Sequence, residues 1–248
     1  MVKKTIKIFF AFICLYLFSA CGLDEYIVID APLSIHAPEV TSYSTYSEYA
    51  ESYFKLKTID TDTVSSNLKF VGTKIYYKIY KYQSTMASQN SSISSTVSST
   101  NAANSATQLI ETYGYKELYC GASPFNTKGD EELIYIRLSN YQSELSYSAR
   151  IMNPDSDNVA VTTYGIPKRY GGNLTFDFGR SSQDEEHNKI PQQDDEDVNF
   201  SGSSTDDDNQ WYVSLYAVSV GRDVSFANTY STVTYLGSVC IKNNTEDN

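Results

Sequence analysis

Gly72-Thr73-Lys74-Ile75-Tyr76-Tyr77-Lys78-Ile79-Tyr80 decides the fold. Ile75, Tyr77 and Ile79 alternate with Tyr76, Lys78 and Tyr80. A period of two belongs to a pleated strand with one apolar face, because successive side chains leave a strand on opposite sides. The pattern runs from 70 to 82, and the same rhythm recurs outward in both directions. Upstream it covers 53–59. Downstream it covers 133–138 and 145–152, a short stretch at Val159 and Val161, and Leu174, Phe176 and Phe178 before Gly179. Trp211, Val213, Leu215 and Ala217 alternate up to Gly221, and Val233, Tyr235, Val239 and Ile241 follow. Many short strands separated by turn signals predict an all-β sandwich or barrel. The apolar parity predicts one core holding Ile75, Tyr77, Ile79, Phe176, Phe178, Val213, Leu215 and Val239, with Trp211 on the same face as Leu215.

Two stretches interrupt the series. Residues 83–107 are rich in Ser, Thr, Asn and Ala and poor in large apolar groups, a composition that buries little apolar surface. Ala106, Leu109, Ile110 and Tyr113 repeat at helical spacing. The expectation is a flexible insertion over 83–114 ending in a short helix near 104–113. The second interruption is 181–210, where ten acids and one lysine lie between Asp184 and Asp208. Like charges repel and favour a solvated loop. Residues 83–103 and 184–209 are therefore expected to be the least ordered.

Among the 248 residues are 22 Tyr, 11 Phe and a single Trp. Tyrosine suits strands, since its ring packs on a pleated surface while its hydroxyl reaches a polar partner; tyrosine-rich surfaces also bind ligands. The formal charge is -11, which disfavours nucleic acid and anionic membrane surfaces.

The start of the chain carries an address. Lys3, Lys4 and Lys7 precede an apolar run from Ile8 to Phe18, followed by Ser19-Ala20-Cys21. A basic start, a short apolar segment and small residues before a cut site describe a signal peptide over 1–20. The run is shorter than the roughly 20 residues a membrane-spanning helix needs. Loss of this leader removes three lysines and no acid, moving the formal charge from -11 to -14. The leader resembles that of bacterial lipoproteins. The family usually has Leu three places before the cysteine, whereas Phe18 stands there with Leu17 one earlier, as in the relaxed sites of spirochaetes. The resemblance implies a diacylglycerol and palmitate anchor on Cys21, a lipidated tether over 21–36, and attachment to the outer membrane or cell surface. The plainer alternative is an ordinary secretory signal with an incidental cysteine.

The strand pattern resembles a fibronectin type III module. Gly72 to Tyr80 is similar to that family's third strand, Trp211 to Gly221 to its sixth, and 231–241 to its last. Cys21-Gly22-Leu23, the Gly72 strand and Tyr216-Ala217-Val218-Ser219-Val220-Gly221 together resemble a group of spirochaete surface lipoproteins of unknown activity. The resemblance implies a fibronectin type III/immunoglobulin-like antiparallel sandwich over 37–245, with insertions at 83–114 and 181–210. It implies a location and a fold, not a chemistry.

The usual catalytic signatures are missing: there is no Gly-x-Ser-x-Gly elbow, His-Glu-x-x-His pair or phosphate loop. His36 and His187 have no metal-ligand spacing to another His or Cys, and read as surface histidines. Calcium takes six to eight oxygen ligands, and Asp194, Asp195, Asp197, Asp206 and Asp207 are acids that could supply some. The strict calcium loop is absent, however, and a solvated acid run is the plainer reading. Cys120 and Cys240 stand far apart in strand-like segments. They form either a disulfide, which persists in exported chains, or two separate buried thiols. The expectation is a lipid-anchored, non-enzymatic envelope protein without cofactor, metal or nucleic-acid partner, binding protein or glycan through sandwich loops. The alternative is an envelope assembly component acting by strand addition.

Overall fold

The computed structural model describes residues 29–39, 50–60, 68–97, 101, 103–121, 123–127, 130–139, 149–154, 161–178, 190–203, 209–223 and 225–242. In chain order the strands are β1 (Leu33–His36), β2 (Phe54–Lys57), β3 (Lys69–Tyr80), β4 (Lys116–Glu117), β5 (Leu133–Arg137), β6 (Arg150–Pro154), β7 (Val161–Gly165), β8 (Val198–Asn199), β9 (Gln210–Arg222), β10 (Asn228–Tyr230) and β11 (Thr234–Lys242). Helices α1 (Gln83–Thr96) and α2 (Ala103–Thr107) and a π-helical turn, Gln108–Thr112, lie between β3 and β4. The first sheet has the order β1-β2-β5-β6-β7, antiparallel throughout.

The second sheet is built on the antiparallel pair β3–β9. Its register places Ile75, Tyr77 and Ile79 beside Ala217, Leu215 and Val213, so the apolar faces read from sequence coincide. β11 and β10 share the far edge of β9, and β4 and the parallel β8 share the far edge of β3. Facing strands of the first sheet contribute Phe54, Leu56, Ile134, Ile136 and Ile151 to one core with these residues. All eight residues expected in the core are buried there, and so is Trp211. The architecture is an all-β sandwich with short helices. Two ladders carry bulges at glycines with φ of +142° (Gly72) and +118° (Gly237). A side chain at Gly72 would meet the Phe125 carbonyl at 2.8 Å, and one at Gly237 the Pro38 carbonyl at 2.9 Å. Neither site admits a Cβ without backbone movement.

The second face of the second sheet is not in water. Tyr76, Tyr80, Tyr212, Ser214 and Tyr216 are buried on it, with α1 packed against β3 and β9. This overturns the expectation of a flexible 83–103. Residues 83–96 form a helix, and Met86, Asn90 and Ile93 fall on one of its faces at i, i+4 and i+7. Met86 and Ile93 are buried. Serine and threonine are middling helix formers, and isolated helices of this length are marginal. Docking on the sheet supplies what propensity does not. The short helix expected near 104–113 is present as α2 and the π-helical turn.

Three further expectations change. The tether does not extend to residue 36, because Leu33–His36 is a strand of the first sheet and Ile29 is already buried. Leu174, Phe176 and Phe178 are not a strand: they lie in a turn in which only Thr175 bridges to Lys168 and Phe178 has φ of +51°. Within the acidic stretch, residues 190–203 are part of the fold and include β8. Of the two readings left open for Cys120 and Cys240, the structure has the separate buried thiols.

Candidate binding surface

Proline, two glycines and a cluster of polar residues shape the segment 166–178. Lys168 and Tyr119 exchange backbone hydrogen bonds of 2.7 and 3.4 Å, Arg169 N–H donates to the Leu174 carbonyl at 2.8 Å, and Gly172 N–H to the Arg169 carbonyl at 2.9 Å. These bonds close a tight turn around Gly171 and Gly172, both at positive φ. The turn delivers Arg169 inward. Its side chain is 1% exposed and meets Asp197, 4% exposed.

The guanidinium grips Asp197 with both Nε (3.0 Å) and Nη2 (2.6 Å), and Nη2 also donates to Asp195 at 2.7 Å. Tyr77 donates its hydroxyl to Asp197 at 2.5 Å and accepts the Tyr170 N–H at 2.5 Å. Asp197 is held in place by pairing of its own segment with the end of β3: Ile79 N–H donates to the Asp197 carbonyl at 2.9 Å. Burial weakens the charged guanidinium, but its hydrogen bonds and charge contact with Asp197 and Asp195 outweigh this and hold Arg169 more firmly protonated than usual. Burial, then the Asp197 charge, pushes the Tyr77 hydroxyl far above its ordinary range. A fork-to-fork Arg–carboxylate pair fixes orientation as well as charge.

That clamp presents an apolar, aromatic surface outward. Ile166 is 55% exposed, Tyr170 52% and Tyr119 50%. Lys116 Nζ sits 4.5 Å from the Tyr170 ring centroid and pairs with Glu196 at 3.0 Å. Gly172 lies against the Tyr119 ring. The rings are thus set on a backbone whose position is fixed from beneath, while about half of each side chain remains exposed. Tyrosine in such a setting offers contact area at low entropic cost. A shallow hollow of about 200 Å³ between β1 and β2, lined by Asp30, Lys57, Asp60 and Glu131 among others, is smaller than the roughly 300–1,000 Å³ of small-ligand clefts.

Cys21, His187, Asp206 and Asp207 lie outside the described residues. Asp194 and Glu196 are exposed, as a solvated run expects, whereas Asp195 and Asp197 depart from that reading and are committed to Arg169. Among the described residues no cluster of three or more His, Cys, Asp or Glu side chains is arranged to hold a metal. His36 is half-buried rather than a plain surface residue. Its ring stacks on Tyr53 at 3.9 Å, and its nitrogens lie 2.8 Å from the Tyr53 carbonyl and 3.0 Å from Glu51. Arg169 escaped the sequence reading because one basic residue between Lys168 and Tyr170 carries no periodic signal; its partners lie 26 and 28 positions away. No helix among the described residues is long and apolar enough to cross a membrane. No family model, curated protein or solved structure matches the chain.

Proposed function

We propose that this chain is a lipid-anchored, non-enzymatic envelope or surface protein whose sandwich binds a protein or glycan ligand through the Tyr119–Ile166–Tyr170 surface. The observation that carries the reading is three exposed apolar and aromatic side chains, Ile166 and Tyr170 on a segment locked by the buried Arg169–Asp197 pair and Tyr119 on the segment bridged to it. Loops fixed by a rigid scaffold are the usual seat of recognition, and aromatic anchors dominate interface energetics. The anchor is Cys21 with its diacylglycerol and palmitate, motivated by Ser19-Ala20-Cys21; two or more acyl chains give stable attachment. The sandwich is fibronectin type III-like. Supporting this is the order β1-β2-β5 in one sheet and β4-β3-β9-β11 in the other, an arrangement related to the two-sheet order of immunoglobulin-type domains.

The test is retention of the chain on immobilised extracellular-matrix proteins and glycans. Replacing Tyr119 and Tyr170 together by Ala is expected to weaken retention by about tenfold or more, the loss of at least one interface anchor. Unchanged retention overturns the surface. Incorporation of labelled palmitate, lost in Cys21→Ala, tests the anchor separately.

A second reading rests on β1. It is a four-residue strand at the edge of the first sheet with Leu33 and Ile35 exposed. An exposed sheet edge with apolar side chains is where another chain can add a strand. Replacing Ile35 by Pro would abolish capture of envelope partners on this reading and leave the tyrosine surface untouched.

A further inference from the structure

The end of the second sheet where β9 finishes is unlike the rest of the surface. Asp223, Ser225, Phe226 and Ala227 shape a short loop between β9 and β10. The Asp223 carboxylate binds it together, accepting Ser225 N–H at 2.8 Å, the Ser225 hydroxyl at 2.7 Å and Ala227 N–H at 3.0 Å. Phe226 N–H donates to the Asp223 carbonyl at 3.0 Å and Asp223 N–H to the Ala227 carbonyl at 3.1 Å. These bonds hold Phe226 at φ of +66°, a left-handed conformation that bulky side chains rarely adopt. The ring gains no packing from it, since Phe226 is 81% exposed, more than any other large apolar residue among those described. A rigid loop holding a bare phenyl ring outward in a strained conformation is the geometry of an anchor, not of a core residue.

The chain's own start reaches this same end. Ile29 is buried with Ile59 and Leu68, and a Cβ on Gly221 would lie 2.8 Å from Ile29 Cδ1. Gly221 is one residue before the end of β9. Cys21 precedes Ile29 by eight residues, at most about 26–29 Å when fully extended. Lys69 and Arg222, directly paired across β3 and β9, are both exposed here. Asp30 and Asp60, next in sequence to the buried Ile29 and Ile59, are exposed beside Lys57 and Glu131, and the Asp223 carboxylate is occupied in the loop.

We propose that the β9–β10 loop faces the bilayer and that Phe226 inserts into its interface, with Lys69 and Arg222 at the headgroup level. This rests on the reading of Cys21 as the lipid anchor: a tether of eight residues keeps the Ile29 end within about 26–29 Å of the membrane. The domain then stands on two points, the acyl chains and the Phe226 loop, which fixes its orientation and turns the opposite end outward. Arginine, lysine and aromatic side chains are the groups that favour the membrane interface. The overall negative charge makes a zwitterionic bilayer the appropriate probe.

The experiment uses the full lipidated chain carrying Phe226→Trp, reconstituted into phosphatidylcholine vesicles with and without brominated lipid. Trp211 is buried and serves as the internal reference in the unsubstituted chain. The expected result is bromolipid quenching and a blue shift of the added tryptophan, with little quenching in the unsubstituted chain. Solvent-like emission without quenching, in protein that carries labelled palmitate, overturns the insertion while leaving the anchor standing. Absence of palmitate from the chain removes the anchor, and the proposed orientation falls with it. A second variant, Phe226→Gly, relieves the backbone conformation; it is expected to keep the fold and to slow the protection of the β9–β10 loop from protease on vesicles. Protection equal to that of the unsubstituted chain also overturns the proposal.

Discussion

The two faces of the β3–β9 pair are buried by different physics. On one, Ile75, Ile79, Val213, Leu215 and Val239 meet the first sheet through apolar contact alone. On the other, Tyr80, Tyr115, Tyr216 and Ser214 meet helix α1 through hydroxyls. Asn90 of α1 is the centre of that layer. Its amide oxygen accepts the Tyr115 hydroxyl at 3.1 Å, the Ser214 hydroxyl at 3.0 Å and the Tyr216 hydroxyl at 3.1 Å. The Tyr80 hydroxyl lies 2.8 Å from the Gln89 amide oxygen and 3.0 Å from the Tyr115 hydroxyl, its single proton shared between them. The apolar face is non-directional and tolerates shape changes of about its own volume. The hydroxyl face is directional, and each group depends on a particular partner. A strand can therefore be buried on both sides while its sequence alternates as though one side were wet.

The largest effect is expected where the apolar face has its single ionic component. Tyr77 belongs to that face, yet its hydroxyl ends on the Arg169–Asp197 pair. Arg169→Met strands a buried carboxylate, and breaking such a pair costs about 3–5 kcal/mol. Denaturant unfolding at neutral pH measures it. A loss under about 1 kcal/mol would mean the pair behaves as a surface bridge. Leu215→Ala, with a fully buried side chain, is expected to cost about 2–5 kcal/mol. A negligible loss would put the Leu215 face in water and invert the register of β9.

On the hydroxyl face the expected effect is smaller. Asn90→Ala removes the acceptor shared by three hydroxyls, at a cost of about 1–3 kcal/mol for the buried groups left unpaired. Alanine returns a few tenths of this through helix propensity, up to about 0.7 kcal/mol. Amide exchange should quicken over residues 83–96 before it quickens in β9. Equal acceleration in both would show that α1 and the sheet open as one unit, and the two faces would then not be separable.

What the sequence makes legible follows the same division. Ile75-x-Tyr77-x-Ile79 and Trp211-x-Val213-x-Leu215 are local and periodic, so they place the apolar core directly. The hydroxyl face is not local: Asn90 lies 126 positions from Tyr216. Tyr80 and Tyr216 have the parity of solvent-facing residues, and side-chain amides of α1, Gln89 and Asn90, satisfy their buried hydroxyls. Helix α1 hid behind its serines and threonines, with only Met86, Asn90 and Ile93 marking the docked stripe. The acid run concealed Asp197 for a related reason. Composition averages over a segment, while one residue in it carries a buried contact.

The finest test is one hydroxyl. Tyr216→Phe keeps the ring, which packs edge-on against Tyr115 at 5.4 Å, and deletes only the bond to Asn90. The expected cost at neutral pH is about 0.5–1.5 kcal/mol. The pH dependence discriminates more sharply than that small number. Burial, followed by the neighbouring Tyr115 hydroxyl, raises Tyr216 well above the ordinary tyrosine range, and burial likewise raises Tyr76, Tyr80 and Tyr115. A raised folded-state value means that the unfolded chain ionises first. Stability from these groups is therefore fully present below about pH 10 and is lost as the pH rises beyond it, by up to about 1.4 kcal/mol per pH unit for each tyrosine. Tyr216→Phe removes one such contribution, so its stability should decline less steeply above pH 10 than that of the unsubstituted chain. The two curves, measured by denaturant unfolding alongside tyrosinate absorbance, should meet within about one pH unit above 10 and then cross, leaving the variant the more stable in strong alkali. Parallel curves would place the Tyr216 hydroxyl in water and leave Asn90 without its role at the centre of the second face.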